Sequence, residues 1–503
     1  MVMAVFAGLL TGCTSDSGSR RSGSVNADGT TVSAPFNDRF YNPIRTQFRL
    51  GDPWIIHHDG IYYYCGGGIN LFASPTLSGM QAYSNITRKS VFSPEANGVT
   101  QVWAPELHHF NNRWYIFFTA TQGSDDDAHR NRRIYVLRSH DNNAMGEYEF
   151  MGKLQLPEDQ WAIDGTFFEH NGRLFLIWSG WKDESEGIGV WRQSLYIAEL
   201  QPGDPTRVLP GTARVLIAAP EYEWEQRGLS QLEGPVMVKS PGGNVYCIYS
   251  ASFSRSNFYA LGVLRLTGDD PMNPSHWRKR NIPLLSSDPD NDIYSPGHCS
   301  VTMSPDGTEY WVVYHAAKAR GAGWDRNARV QRLLWDEHDE PYMENQAGVQ
   351  GLPDPLWITQ PLPSGETVDR IIVQAEDMAA RGGTSLVQIS GGGRAVSLVP
   401  DNGIITMTVA IDEEASYAVY IRHSNYHNEE ERILITVNDA PPVAVAASRS
   451  GAEGSFTMAA GMVTLNSGIH TLSFSVPSYS GQMDIDCVIL EKIIPFRYSN
   501  QEQ

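Results

Sequence analysis

Three carboxylates, Asp52, Asp164 and Glu233, stand in related surroundings although they are far apart in the chain. Each opens an apolar run that turns back on itself. Asp52 leads Pro53-Trp54-Ile55-Ile56, with Asp59-Gly60 as the turn and Tyr62-Tyr63-Tyr64 on the return. Asp164 leads Gly165-Thr166-Phe167-Phe168 and turns near Asn171-Gly172, and Glu233 leads Gly234-Pro235-Val236-Met237-Val238 and turns at Gly242-Gly243. Two further copies open on Glu106 and His298. Paired carboxyl groups suit glycosidic bond cleavage: one, protonated, gives its proton to the leaving oxygen, and the other activates water or attacks the sugar. A third acid close by raises the donor's pKa by like-charge repulsion. On its own each of these residues also fits a turn or capping carboxylate. Their shared place in a repeat is what gathers them into one site.

The elements that must position them are strands. Asp-Gly and Asn-Gly pairs between aromatic, β-branched runs are hairpin signals. Five copies starting at 52, 106, 164, 233 and 298 imply a β-propeller with one four-stranded blade per repeat. The first strand of each blade lines the axis, so the opening residues meet at one end of a central channel. Residues 37–361 form this propeller, 362–370 a polar linker, and 371–494 a second domain. That domain holds runs such as 404–409, 417–422, 433–437, 462–465, 470–474 and 486–490, and reads as a β-sandwich of jelly-roll type. The fold class is therefore all-β, a five-bladed propeller followed by a sandwich. Residues 495–503 are a tail.

At the other end, Leu10-Thr11-Gly12-Cys13 closes a short apolar run and resembles a lipoprotein signal (1–13), with Cys13 lipidated. No Lys or Arg precedes the run, which leaves a plain secretory signal open. Residues 14–36, Ser/Gly-rich, read as a tether. The expected location is outside the cell or on the cell envelope, with membrane contact only through the anchor and the protein a monomer. Replacing Cys13 by Ala would release an anchored protein into the soluble fraction.

The chain has 503 residues, 41% of them hydrophobic, enough for more than one core. Its net charge of −19 carries no basic cluster, which argues against nucleic acid. Cys65, Cys247, Cys299 and Cys487 are widely spaced, without a metal-ligand pattern.

The combination Asp52-Pro53-Trp54, Trp103-Ala104-Pro105-Glu106, Ile163-Asp164-Gly165-Thr166, Glu233-Gly234-Pro235 and Pro296-Gly297-His298-Cys299-Ser300 resembles glycoside hydrolase family 43. The resemblance implies an inverting enzyme with Asp52 as general base, Glu233 as general acid and Asp164 as pKa modulator. It makes Glu106 a site-wall residue and turns His298 toward an axial ion, often calcium, reached through water. A hydrogen-bonded core histidine is the competing reading for His298. Tyr294-Ser295-Pro296-Gly297-His298, Tyr314-His315-Ala316 and Arg326-Asn327-Ala328-Arg329 resemble the α-L-arabinofuranosidase branch, exo-acting on arabinan or arabinose side chains. Gly165, Leu232, Cys299 and Asn327-Ala328 depart from that branch, which keeps β-xylosidase, endo-arabinanase and galactosidase open. A non-catalytic carbohydrate-binding lipoprotein is the reading from another class. Arg326 is a candidate for sugar hydroxyls in the first subsite, or for a surface ion pair. Trp54 and Trp103 are candidates for sugar stacking or for packing between blades. The C-terminal segment resembles family 6-type carbohydrate-binding modules, which implies a structural calcium near Gln374 or Glu376 and Asp486. Tyr426 and Tyr479 are its loop aromatics. The chemistry itself needs no cofactor, and the partner is an oligo- or polysaccharide.

Overall fold

The computed structural model describes residues 23–25, 31–32, 39–44, 51–66, 68–81, 87–123, 130–289, 293–343, 359–389, 394–425, 430–450 and 456–493. Cys13 and Tyr426 lie outside the described residues.

The described chain is all-β, with only short 3-10 turns between strands. Five antiparallel sheets follow one another in sequence. They open on the strands Trp54–His58, Val99–Phe110, Ala162–His170, Leu232–Lys239 and Tyr294–Met303, and each sheet then adds its strands outward in chain order. The third carries two outer strands, Asp204–Val208 and Val215–Ala218, both on Ser194–Gln201. The opening strands touch in a closed cycle, first to second, second to third, third to fourth, fourth to fifth and fifth to first. Turn residues explain the tight returns. Asp59 and Gly60 both have positive φ (50° and 76°), as do Asn111 and Asn112 and the Asn171-Gly172 pair. This is the left-handed pair of a type I′ hairpin, whose twist matches that of its strands. Apolar side chains from neighbouring sheets interlock, as where Trp54, Tyr63, Leu107 and Trp114 share one cluster across the first two.

Beyond residue 370 the strands form two further sheets. One contains Ile404–Ile411, Gly468–Ser475, Glu430–Val437 and Val443–Ser448, the other Arg394–Leu398, Met483–Lys492, Ala415–Ser424 and Thr457–Leu465. Burial alternates strictly along Ile404–Ile411, the mark of a sheet with one face inward. Ile405, Met407 and Val409 from one sheet share a core with Val419, Ile421 and Val488 from the other.

Two expectations are corrected by pairing. Within the segment read as a tether, Gly23–Val25 pairs with Thr31–Val32 and, through Gly23 and Ser24, with Ala410 and Val409. An edge strand with free amides and carbonyls has captured it. The polar linker is also tied down. Glu366 accepts the amides of Leu77 and Ser78, and Arg370 is buried, donating to Glu491 at 2.7 Å and to Ser78 Oγ at 3.3 Å. The polar side chains of this linker serve a seam.

Candidate active site

The opening strands share a backbone device. Asp52, Asp164 and His298 have φ of 54°, 53° and 40°, and Ala104 and Gly234 hold the same place in the second and fourth sheets with 42° and 54°. The ladder skips these residues. Ile163 pairs with Ser179 and the next pair is Thr166 with Ile177, while Gly297 pairs with His315 and the next is Cys299 with Tyr314. In the second to fifth sheets this is a bulge, which re-aims the chain locally, whereas Asp52 stands two residues ahead of the first sheet's ladder. Left-handed backbone costs an L-residue roughly 1–2 kcal/mol, and here side chains take up the amides. Asp52 N–H donates to His315 Nδ1 at 2.9 Å, Asp164 N–H to Thr119 Oγ1 at 3.1 Å and His298 N–H to Ser250 Oγ at 2.7 Å. Gly234 N–H donates to Asp164 Oδ2 itself, at 3.0 Å.

This register corrects the repeat phase. The left-handed address holds Asp, Ala, Asp, Gly and His, so Glu106 sits two residues past it and Glu233 one before it. Glu233 still reaches the mouth. Glu106 does not: it is 2% exposed and lies 3.0 Å from His108 Nε2. Burial drives its pKa well up, partly offset by a hydrogen bond from Thr166, and holds His108 down at about 3. Glu106 is therefore a buried post behind Asp164 and not a wall of the site.

Asp52, Asp164, Glu233 and His298 all line one cavity of about 660 Å³. Asp164 is the deepest carboxylate, its side chain 4% exposed, against 20% for Asp52. Burial pushes Asp164 well above the usual carboxylate range, the charges of Glu233 and Asp52 push further, and the Gly234 amide opposes them. Burial raises Glu233 to about 7; the hydroxyl of Tyr259, donating to Oε1 at 2.8 Å, pulls it down, Asp52 pushes it up, and Arg326 pulls it down. His298 directs Nδ1 at Asp52 Oδ1, 3.1 Å away, with Asp164 Oδ2 at 4.0 Å. Burial lowers the pKa of this imidazole, and the charge of Asp52 partly restores it. His315, which accepts the Asp52 amide on Nδ1, is held well below its ordinary value by burial and by Arg326.

Two residues considered for substrate contact face the protein instead, Trp54 in the packing role that was its alternative. Arg326 is fully buried and its donors go to the protein: Nε to Gly323 O, Nη1 to Ser295 O, and Nη2 to Ser254 O and Ser295 Oγ. Its charge acts on Glu233 without its donors reaching the cavity. Trp54 is 8% exposed, donates from Nε1 to Leu107 O at 2.6 Å and packs on His108, so it joins sheets. Trp103 does line the cavity, with the Arg132 guanidinium 3.5 Å from its ring centre on one side. Four aromatic walls escaped sequence reasoning: Trp161, Trp191, Phe253 and Trp324. Trp161 stacks on Trp181 at 4.5 Å. Its place three residues before Asp164 was the available signal. Gly165 has a reason too, since a Cβ there would come within 2.7 Å of Ile134 Cδ1.

Metal-binding expectations meet two different environments. Among the described residues, no group of three or more His, Cys, Asp or Glu is arranged to hold a metal ion. On the axis, the His298 ring nitrogen Nδ1 faces Asp52. In the C-terminal part, Asp486 is paired with Arg422 at 2.6 Å, whereas Glu376 Oε2 is buried without a hydrogen-bond partner.

A carboxyl group able to carry a proton at neutral pH, a second carboxylate reached by solvent and a cavity walled by tryptophan define a hydrolytic sugar site. The comparisons agree. Residues 40–341 match the model of Glycosyl hydrolases family 43, and the chain belongs to that family. The chain is 31% identical over 323 residues to the extracellular exo-α-(1→5)-L-arabinofuranosidase of Streptomyces avermitilis, over 60% of this chain and 62% of that one. It thus spans less than two thirds of that relative's length. The α-L-arabinofuranosidase of Lactobacillus brevis superimposes with a TM-score of 0.53 at 28% identity, covering 60% of this chain and 95% of that one. The exo-β-1,3-galactanase of Phanerochaete chrysosporium covers 94% of this chain and 99% of its own, at 16% identity and a TM-score of 0.53, a likeness of fold.

Proposed function

We propose that this glycosidase is an exported, inverting, exo-acting α-L-arabinofuranosidase on arabinan or arabinose-decorated plant polysaccharide. The observation that carries the mechanism is the cavity that joins a proton-retaining Glu233 to the carboxylate of Asp52. The sugar assignment leans on relatives that are themselves arabinofuranosidases, one of them extracellular.

In this reading Asp52 removes a proton from water as the water oxygen attacks the anomeric carbon. The glycosidic C–O bond breaks on the opposite face, and Glu233 gives its proton to the departing oxygen. Asp52 ends protonated and Glu233 ionised, and exchange with solvent resets both. The charge of Asp52 helps keep Glu233 protonated, and Asp164, the modulator in this reading, holds the Glu233 backbone by accepting the Gly234 amide. The ring of five sheets is read as a five-bladed propeller spanning 37–361, and the two later sheets as a family 6-type sandwich module spanning 371–494. A calcium there would use Glu376, whose buried oxygen wants a partner, rather than Asp486, which Arg422 occupies. An axial ion would rest on water more than on side chains, and no step runs through it.

Proton NMR of the first-formed sugar tests the core of this reading. An aryl α-L-arabinofuranoside should yield the inverted anomer, and a product with retained configuration overturns the roles given to Asp52 and Glu233. Parallel assays with aryl β-D-xyloside and linear arabinan test the sugar and the exo mode.

A further inference from the structure

The two oxygens of Glu233 are not equivalent. Behind the carboxyl runs a chain of hydrogen bonds that begins on a backbone amide. His298 N–H donates to Ser250 Oγ at 2.7 Å. Ser250 in turn is hydrogen-bonded to the Tyr259 hydroxyl. Tyr259 donates to Glu233 Oε1 at 2.8 Å. Ser250 and Tyr259 are both buried. An amide can only donate, so Ser250 Oγ is an acceptor at that end. Among the described residues Ser250 has no other acceptor, so its own proton goes to Tyr259. A hydroxyl that accepts on one side has one proton left to give, and the Tyr259 proton goes to Oε1.

Resting on Glu233 as the general acid, we infer that Tyr259 is a positioning residue that reserves Oε1 as an acceptor and so confines the catalytic proton to Oε2. Glycosyl transfer to water needs that proton on one defined oxygen, aimed at the leaving group. The backbone provides for it. Gly297 lies against the tyrosine ring so closely that a Cβ there would sit 1.9 Å from Tyr259 Cε1. Arg326 covers the same ring, 5.3 Å from its centre. The charged groups acting on Glu233 come from outside its own sheet: Asp52 from just ahead of the first sheet's opening strand and Arg326 from the fifth sheet. All stay in place when only a hydroxyl is removed.

The test is the pH dependence of kcat/KM for Tyr259→Phe, Ser250→Ala and Glu233→Gln, on an arabino-oligosaccharide and on an aryl arabinoside with a good leaving group. Removing a donor to the ionised carboxylate disfavours that form. The basic limb of Tyr259→Phe should therefore move up by roughly one pH unit. Its kcat on the oligosaccharide should fall about tenfold, with a smaller fall on the aryl substrate, which needs less protonation. Ser250→Ala should shift the limb the same way by less, and it decides alone if Tyr259→Phe does not fold. The inference is overturned if folded variants keep the wild-type limb while Glu233→Gln is inactive on the oligosaccharide. Should Glu233→Gln retain that activity, the acid assignment falls, and this inference with it.

Discussion

Two glutamates of this chain, Glu233 and Glu366, are both pushed up to about 7 by burial, and of the two it is Glu233 that lines the cavity with Asp52 and Asp164. Around Glu366 stand the amides of Leu77 and Ser78, the Ser78 hydroxyl and the Arg370 guanidinium, all of which favour its ionised form against that burial. Around Glu233 stand a tyrosine hydroxyl, two other carboxylates and a cavity of about 660 Å³. The same perturbation thus has two meanings. At the seam a proton held near neutrality is a by-product of packing two parts of the chain together. At the mouth it can be handed to a substrate. A raised pKa marks a site only where a second group can use the proton and a ligand can reach it.

The largest effect should separate the two glutamates. Glu233→Gln removes the proton donor and should lower kcat on arabino-oligosaccharides by about 10²–10⁴-fold, with a smaller fall on an aryl substrate whose leaving group departs unaided. Asp52→Asn should damage both substrates, because water must be activated whatever leaves. In the wild type, kcat/KM should fall as pH rises through about 7, where Glu233 loses its proton. Glu366→Gln should leave kcat and this pH profile unchanged. If Glu366→Gln moves the profile, the comparison is broken.

Much of this was legible in the sequence, for a physical reason. Hairpin turns with Asp-Gly and Asn-Gly pairs declare themselves locally, and so Asp52, Asp164 and Glu233 could be placed near the starts of opening strands. The bulge could not be read, because it depends on which side chain takes the freed amide. Thr119, Ser250 and His315 do this from strands of the preceding sheets. A one- or two-residue slip in phase followed, and with it the wrong place for Glu106. Arg326 was misplaced for a related reason. A guanidinium suits sugar hydroxyls and backbone carbonyls equally, and only the fold shows Ser254 and Ser295 claiming it. Trp54 and Trp324 carry the same indole, and composition does not say which one is sealed between sheets.

A middle-sized effect belongs to the seam. Glu366 has a folded pKa of about 7 against an ordinary 4.5, so it favours folding most below about 4.5 and loses that contribution as pH rises through 7. The full swing is about 3 kcal/mol. Urea unfolding at pH 4, 6 and 8 should show the wild type losing stability relative to Glu366→Gln over that interval. Parallel curves for the two proteins would mean that the Leu77 and Ser78 amides and Arg370 offset burial completely.

The smallest effect concerns the two tryptophans and sharpens the contrast between frame and cavity. Trp54 is sealed, and its Nε1 is the donor to Leu107 O. Trp54→Phe keeps most of the apolar contact but leaves that buried carbonyl unpaired, which costs about 1–3 kcal/mol of stability. KM should not move, since the ring does not line the cavity. Trp324 is 39% exposed, lines the cavity, and lies over Arg326 at 4.8 Å. A half-exposed ring contributes little to folding, yet its face is available to a sugar. Trp324→Ala should raise KM several-fold with a melting temperature close to that of the wild type, the mirror image of Trp54→Phe. Thermal melts and Michaelis curves on the two variants decide it. If Trp54→Phe raises KM, the sealed indole is coupled to the cavity through His108 and Leu107, and the line drawn here between frame and site lies in the wrong place.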